Sequence, residues 1–496
     1  MATTTAPVPL DIPSLLPDST HLITGEWVPA RSRSTIDVAN PATGTVIARV
    51  PRGAAGDIDD AVRSAEAALP AWRDTSPAVR GELLYRWAEL VREHDDDINR
   101  LEAIEVGHPV GPSPIAARLT YLAGKADKVL GDTLPTRSPN VLGLTLREPY
   151  GVVGAIIPWN APGPMTVFNT AAPIAAGNTV VLKPAEDAPL TALYLARLAL
   201  EAGIPPGVLN VVTGYGSEAG AALPAHPGIR KMSFTGSPAT GTAVMEACAR
   251  NLIPLQLELG GKSPQIVLPD ADLDKAIPAI VRSIVMNSGQ VCAAGSRVLV
   301  HSSLHGRLVE ELAARFRAVR VGTWDQPVDM GPLINARQEK RVLDYLAIGR
   351  EEGAEIVVGG GKLTEPPYSE GYFVEPTLFD QVRPEMRIAQ EEIFGPVLSV
   401  LTYDDEDEAV AIANGTRYGL TATVWTRDIG RAVRLARRVE AGQVAVNTVG
   451  DGGPTGSIGT PFGGYKNSGF GRSMGHDYLE DWTQVKAVVI DASPTR

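Results

Sequence analysis

The stretch Gly151-Val152-Val153-Gly154-Ala155-Ile156-Ile157-Pro158-Trp159-Asn160 decides the fold, because it is the first of a series of short apolar runs. Thr179 to Leu182, Val208 to Val212, Lys231 to Phe234 and Leu255 to Leu259 repeat the pattern, with Ala- and Leu-rich helical stretches between them. Strands alternating with helices predict βαβ units and a parallel sheet, an α/β fold that takes nucleotides at the carboxyl ends of its strands. A second α/β stretch follows from about Val281 to Val446.

On the N-terminal side, Ile58, Val62, Ala65 and Leu69 recur at helical spacing. Ser76-Pro77 then caps a second helical pattern through Leu83, Leu84, Trp87, Leu90 and Val91. Met1 to Pro17 has no basic residue before its apolar part and reads as a loose tail, not a secretion signal. Asn140 to Leu146 and Val485 to Ile490 look like strands outside both blocks, paired between subunits or lying at an ordinary sheet edge.

Bulk properties bound the function. A chain of 496 residues is too long for one efficient core, so two or three domains are expected. Hydrophobic residues at 44% and charged residues at 21% are those of an average globular protein. The net charge of -12, with no cluster of Lys and Arg, argues against nucleic acid and anionic lipid as partners. No apolar run reaches the ~18 residues of a membrane span. Two cysteines, Cys248 and Cys292, make no disulfide framework, so a reducing cytoplasmic compartment is expected.

Three segments carry chemistry. Cys248 lies in a helical run and reads as a small buried hydrophobe, but Cys292 follows Asn287-Ser288-Gly289-Gln290-Val291. That sequence suits a tight loop bringing backbone N–H groups to the sulfur. Glu258 closes an apolar strand pattern and is followed by Leu259 and the pair Gly260-Gly261; a carboxylate so placed serves as a general base or as a solvated strand-end charge. Asn160 ends Pro158-Trp159-Asn160, where its amide can donate to an oxyanion or simply form a turn.

In this order these segments resemble the NAD(P)-dependent aldehyde dehydrogenase superfamily. Collinear matches extend from Gly25-Glu26-Trp27 to Val485-Lys486 and include Lys183-Pro184-Ala185-Glu186, Phe234-Thr235-Gly236-Ser237 with Gly241, Glu391-Glu392-Ile393-Phe394-Gly395-Pro396, Tyr418-Gly419-Leu420 and Pro461-Phe462-Gly463-Gly464. The resemblance implies Cys292 as the nucleophile, Asn160 with the Cys292 N–H as oxyanion donors, and Glu258 as the base that hydrolyses a thioester. It implies cofactor contacts at Ile157, Trp159, Lys183, Glu186, Gly236, Ser237, Gly241, Leu259, Glu392 and Phe394. Because Glu186 would repel a 2'-phosphate, NAD is preferred and NADP is the weaker alternative. No metal site is implied.

The implied architecture is a Rossmann-like cofactor domain (1–127 and 149–258), an α/β catalytic domain (259–473) and a small β-ribbon oligomerisation domain (128–148 and 474–496), in a homodimer or homotetramer. Departures from the family pattern stand at Asn169 and Ser473, where relatives carry a Lys and a Glu that relay protons, and at Met286, where an aromatic is frequent. Ala161, Gly163 and Pro164 replace bulkier residues, and the loop Gly450 to Thr460 is Gly-rich and long. These changes suggest a roomy, weakly charged pocket for a medium or bulky apolar aldehyde. No arginine in these segments marks a second substrate carboxylate, so a semialdehyde acid is disfavoured. A coenzyme A-acylating enzyme, an inactive relative and a cysteine hydrolase are the alternatives; the first is opposed by Glu258, the second by the intact trio Cys292, Glu258 and Asn160, and the third by the cofactor residues.

Overall fold

The computed structural model describes residues 10–449 and 458–493. Its first sheet has eight strands, in the order Glu26–Val28, His21–Ile23, Leu209–Val211, Thr179–Lys183, Val152–Ile156, Lys231–Thr235, Leu255–Glu258 and Gly469–Phe470. The five from Leu209–Val211 to Leu255–Glu258 are parallel, as the apolar runs predict. Val152, Val153, Val180, Val181 and Leu182 are buried on both faces of this sheet, which is why their runs are continuous and not alternating. Helix Ala55–Asp74 buries Ile58, Val62 and Ala65, and the Ser76 hydroxyl caps helix Pro77–Glu93 by accepting from Val79 N at 3.4 Å.

Register aligns the strand ends. Ile156 lies beside both Lys183 and Phe234, and Thr235 beside Glu258. The loops leaving those ends therefore emerge on one edge, carrying Asn160, Gly236 and Glu258 together.

The second sheet runs Glu355–Val358, Thr377–Asp380, Val397–Tyr403, Arg297–His301, Pro264–Val267, Thr421–Trp425, Gln443–Val446. It begins at Pro264–Val267, before the Val281 start expected from the sequence, because that four-residue strand follows Glu258 with only a glycine-rich turn between. All its pairings are parallel except the antiparallel edge strand Glu355–Val358. Gly469–Phe470, although late in the chain, pairs antiparallel with Leu255–Glu258 and so draws the 461–473 segment against the first sheet.

The two outlying strands are partners of each other. Thr483–Asp491 pairs antiparallel with Val141–Pro149 over its whole length, from Thr483 opposite Pro149 to Asp491 opposite Val141, with Thr133–Leu134 as a third strand. Leu142, Leu146, Val485, Val489 and Ile490 remain exposed on this ribbon. Tyr478, Leu479 and Trp482, just before it, pack into the first-sheet core.

One expectation is corrected at the N-terminus. Residues 1–9 lie outside the described chain, but Ile12, Leu15 and Leu16 are buried in the first core, and Arg197 Nη1 donates to Leu15 O at 2.7 Å. The apolar spacing of a one-turn helix, Ile12–Leu15, gives this segment a face to bury, so it is docked and not loose.

Candidate active site

The cysteine loop owes its shape to three successive residues in the left-handed region, Asn287 (φ 48°), Ser288 (φ 54°) and Gly289 (φ 71°). A Cβ at Gly289 would lie 2.1 Å from Gly395 O, so the position accepts no other residue. Side chains hold the two strained neighbours: Ser288 Oγ donates to Gly331 O at 2.7 Å, and Gln290 is pinned from Asn287 O (3.1 Å) to Ile334 N (2.9 Å).

This loop is stitched to the Asn160 turn in both directions. Asn160 Nδ2 donates to Gln290 O at 2.8 Å, and Asn287 Nδ2 donates to Asn160 O at 2.8 Å. An amide has two N–H bonds, so the Asn160 side chain keeps one donor beyond the tether. Cys292, Asn160 and Glu258 all line one cavity of about 1710 Å³.

Glu258 ends its strand with its carbonyl accepting from Gly236 N at 3.0 Å, while its carboxylate is buried. Neither carboxylate oxygen has a hydrogen-bond partner among the described residues. Burial raises its pKa well above the ordinary carboxyl value, against the pull of Arg472 and of the Ser473 hydroxyl, which lies near the carboxylate without a well-formed hydrogen bond to it. The Cys292 thiol is pushed up to about 12, by burial first and then by the negative charges of Glu392 and Glu258; the N–H groups of Ala293 and Cys292 act the other way. Those two N–H groups are the donors expected beside the sulfur.

Glu392 is fixed by the glycine pair after Glu258. Gly261 N donates to Glu392 Oε1 at 3.0 Å, and a Cβ on Gly260 would fall 2.2 Å from Glu392 Oε2. Burial raises the Glu392 carboxyl to about 7, with the Gly261 N–H opposing. Phe394 meets Trp159 edge to face at 5.4 Å, its carbonyl accepting from Gln338 Nε2 at 2.6 Å. Arg341 donates to the carbonyls of Glu392 and Ile393, which adds two residues to the expected set that no short motif announces.

The remaining expected residues divide into two groups. Trp159, Gly236, Ser237, Leu259, Glu392 and Phe394 line the cavity. Ile157, Lys183, Glu186 and Gly241 do not. Ile157 is buried in the first core and Gly241 N donates to Ser237 O at 2.8 Å in the helix start. Lys183 Nζ donates to Glu186 Oε2 at 3.0 Å, where burial lowers the lysine pKa, opposed by Glu186; for Glu186 burial is outweighed by Lys183, which keeps its pKa low. Ser237 caps helix Pro238–Ala249, accepting from Thr240 N at 3.2 Å.

The departures are accounted for by their neighbours. Asn169 accepts from Ser233 Oγ at 2.7 Å and donates to Met165 O at 2.8 Å, while Ser473 Oγ accepts from Gln256 Nε2 at 2.8 Å, so the two do not bond to each other. Gly163 does not widen the cavity: its N–H donates to Glu102 Oε2 at 3.1 Å, and a Cβ there would lie 2.3 Å from that oxygen. Ala161, Pro164 and Met286 do line it. Of the loop Gly450 to Thr460, only 458–460 fall within the described residues.

The segments read for the pocket carry no arginine, but other elements bring arginines to the cavity wall. Arg118 lines the same cavity from helix Ile115–Ala123, a wall that no chemistry-bearing motif touches. Its signal in the sequence is a charge on the face shared by Ile115 and Leu122, three residues before and four after.

A family model described as the aldehyde dehydrogenase family matches residues 27–488. The chain is 44% identical over 486 residues to the phenylacetaldehyde dehydrogenase of Pseudomonas fluorescens, covering 95% of each chain. It is 43% identical over 479 residues to the hydroxyisobutyraldehyde dehydrogenase of Mycolicibacterium austroafricanum, covering 95% of this chain and 94% of that one. Among solved structures, an aldehyde dehydrogenase from Bacillus cereus in complex with NAD+ superposes with a TM-score of 0.94 at 40% identity, covering 98% of this chain and 100% of that one.

Proposed function

This chain belongs to the aldehyde dehydrogenase family of oxidoreductases, and from that premise we propose that it oxidises an aldehyde to a carboxylic acid through a thioester on Cys292. The observation that carries the reading is the reciprocal pair of 2.8 Å hydrogen bonds between the Asn160 turn and the cysteine loop, which sets an amide donor beside a nucleophile.

The Cys292 thiol loses its proton to solvent, a transfer that Glu258 can relay while itself ending unprotonated, and the sulfur adds to the carbonyl carbon. The carbonyl oxygen becomes an anion that the free N–H of Asn160 and the backbone N–H of Cys292 stabilise. Addition must come first, because an aldehyde C–H gives up hydride only once its carbon is tetrahedral and its oxygen negative. NAD, when bound, supplies the hydride acceptor, and loss of hydride leaves a thioester on the sulfur. Glu258, buried with both oxygens unengaged, then takes a proton from the water that attacks this thioester. Acid departs, and the thiolate is restored.

The residues fit NAD. Ser237, Pro238 and Ala239 line the cavity at a helix start, whose N–H groups suit a pyrophosphate. Lys183 and Glu186 would take the adenosine ribose, the Glu186 charge disfavours a 2'-phosphate, and Ile157, Trp159, Leu259 and Gly241 would be further cofactor contacts. Glu392 and Phe394 would hold the nicotinamide half, and Gly236 would leave room for the phosphates.

The part of the cavity next to Cys292, with Ala161, Pro164, Met165, Met286 and Val291, suits a medium or bulky apolar group. Residues 1–127 with 149–258 are assigned to cofactor binding, 259–473 to catalysis, and 128–148 with 474–496 to a ribbon joining subunits as a dimer or tetramer; the exposed Leu142, Leu146, Val485 and Val489 support that last role. A cytoplasmic location agrees with two unpaired cysteines. The test is an aldehyde panel assayed with NAD and with NADP. Reduction of NAD by medium or bulky aldehydes, abolished in Cys292→Ala, is expected. A clear preference for acetaldehyde rejects the pocket reading, and an active Cys292→Ala rejects the chemistry.

A further inference from the structure

Among the described residues three arginines are buried, and two of them have an evident reason to be. Arg297 donates to the carbonyls of Lys262 (3.0 Å), Ile412 (2.9 Å) and Ala413 (2.9 Å). Arg80 donates to Ala175 O at 2.9 Å and Thr75 O at 2.6 Å. Arg118, only 8% exposed, is different. Among the described residues its guanidinium makes no hydrogen bond and no ion pair; it lies 4.3 Å over the ring of Phe168. It lines the cavity that holds Cys292 and Asn160.

A buried guanidinium without an acceptor is costly unless a ligand supplies one. The nearby carboxylate does not. Glu102 Oε2 is taken by the Gly163 N–H at 3.1 Å, and Oε1 lies 3.6 Å from His108 Nε2. Glu102 acts on Arg118 through its charge alone and offers the guanidinium no hydrogen bond, so the donors of the fork stay open at this end. Stacking on Phe168 holds the planar fork at a fixed tilt, the arrangement that suits a two-point contact with a carboxylate.

We propose that Arg118 is a substrate-binding residue that selects aldehydes carrying a carboxylate at the far end of an apolar chain or ring. The proposal rests on the aldehyde oxidation assigned above and adds the substrate class. Helix Pro162–Ala175 gives the scale: Asn160 precedes its first turn, and Phe168 lies six residues beyond Pro162, about 9 Å along the axis. A hydrogen bond at each end takes up part of that span, leaving room for a short linker of about four carbon atoms between carbonyl and carboxylate. Met165, Phe168 and Val291 border the cavity along the way and would receive the apolar body.

The test compares matched pairs: 6-oxohexanoate with heptanal, and 4-formylbenzoate with 4-methylbenzaldehyde. The wild type is expected to favour the carboxylated member of each pair in kcat/KM. Arg118→Met should lower kcat/KM for that member by about 10- to 100-fold, mainly through KM, and leave the neutral member within about threefold. Arg118→Lys should recover part of the loss. Equal treatment of both members by the wild type, or an equal shift of both in Arg118→Met, overturns the assignment. Should Arg118→Met not fold, calorimetry on the wild type decides: adipate binding at least about tenfold more tightly than hexanoate supports it, and equal binding overturns it. Failure of the wild type to oxidise any of the four aldehydes would sink the catalytic reading instead, and the adipate comparison would still report on Arg118.

Discussion

Replacing Asn160 by alanine removes two hydrogen bonds with different purposes, and the structure allows their effects to be separated. The 2.8 Å bond to Gln290 O is a neutral tether worth about 1 kcal/mol. The second N–H is the proposed oxyanion donor, and losing such a donor costs about 3–4 kcal/mol, or roughly 100- to 1000-fold in kcat. The reverse tether, from Asn287 Nδ2 to Asn160 O, uses the main chain and survives the substitution. The cysteine loop should therefore keep its place, the melting temperature should fall by only a few degrees, and kcat should fall by about two to three orders of magnitude. Steady-state NADH production beside a thermal melt measures both. A variant with kcat within about tenfold of wild type would refute the oxyanion role; a variant that does not fold would refute the claim that the second tether suffices.

Two further outcomes follow from the site. Burial pushes the Cys292 thiol up to about 12, so at neutral pH its protonated, unreactive form dominates in the free protein, and burial also raises Glu258 above the ordinary carboxyl value. Their reactive forms gain population as pH rises, and kcat/KM should climb as pH rises above neutrality; a flat or falling profile contradicts the base assignment. Gly289→Ala must place a Cβ 2.1 Å from Gly395 O at a φ of 71°, which should destabilise the fold by about 2 kcal/mol or more and remove activity, as a melt and an assay would detect.

The five parallel strands were legible because burial on both faces writes a continuous apolar run, as at Val152–Ile156 and Thr179–Lys183. Strand partnership was less so. The run at 485–490 and that at 140–146 read as strands, but nothing local says that residues so far apart pair with each other. Cys292, Glu258 and Asn160, which line one cavity, stood out as candidates because each sits in a loop of unusual residues at a strand or helix end. Arg118 and Glu102 were not, since helices far away in sequence build that wall of the cavity and their residue types look ordinary until burial is known. Gly163 was read as an open space when its small size serves a carboxylate, a distinction that only a three-dimensional neighbour can make.

The central claim is that Cys292 carries the acyl group and Glu258 removes it. Glu258→Gln keeps the shape of the side chain and takes away the base, so the thioester should form and persist. Mass spectrometry of this variant, mixed with NAD and heptanal, should find the heptanoyl group on the peptide containing Cys292, together with one burst of NADH per site and little turnover afterwards. An unmodified Cys292 peptide alongside continued acid production would contradict the account.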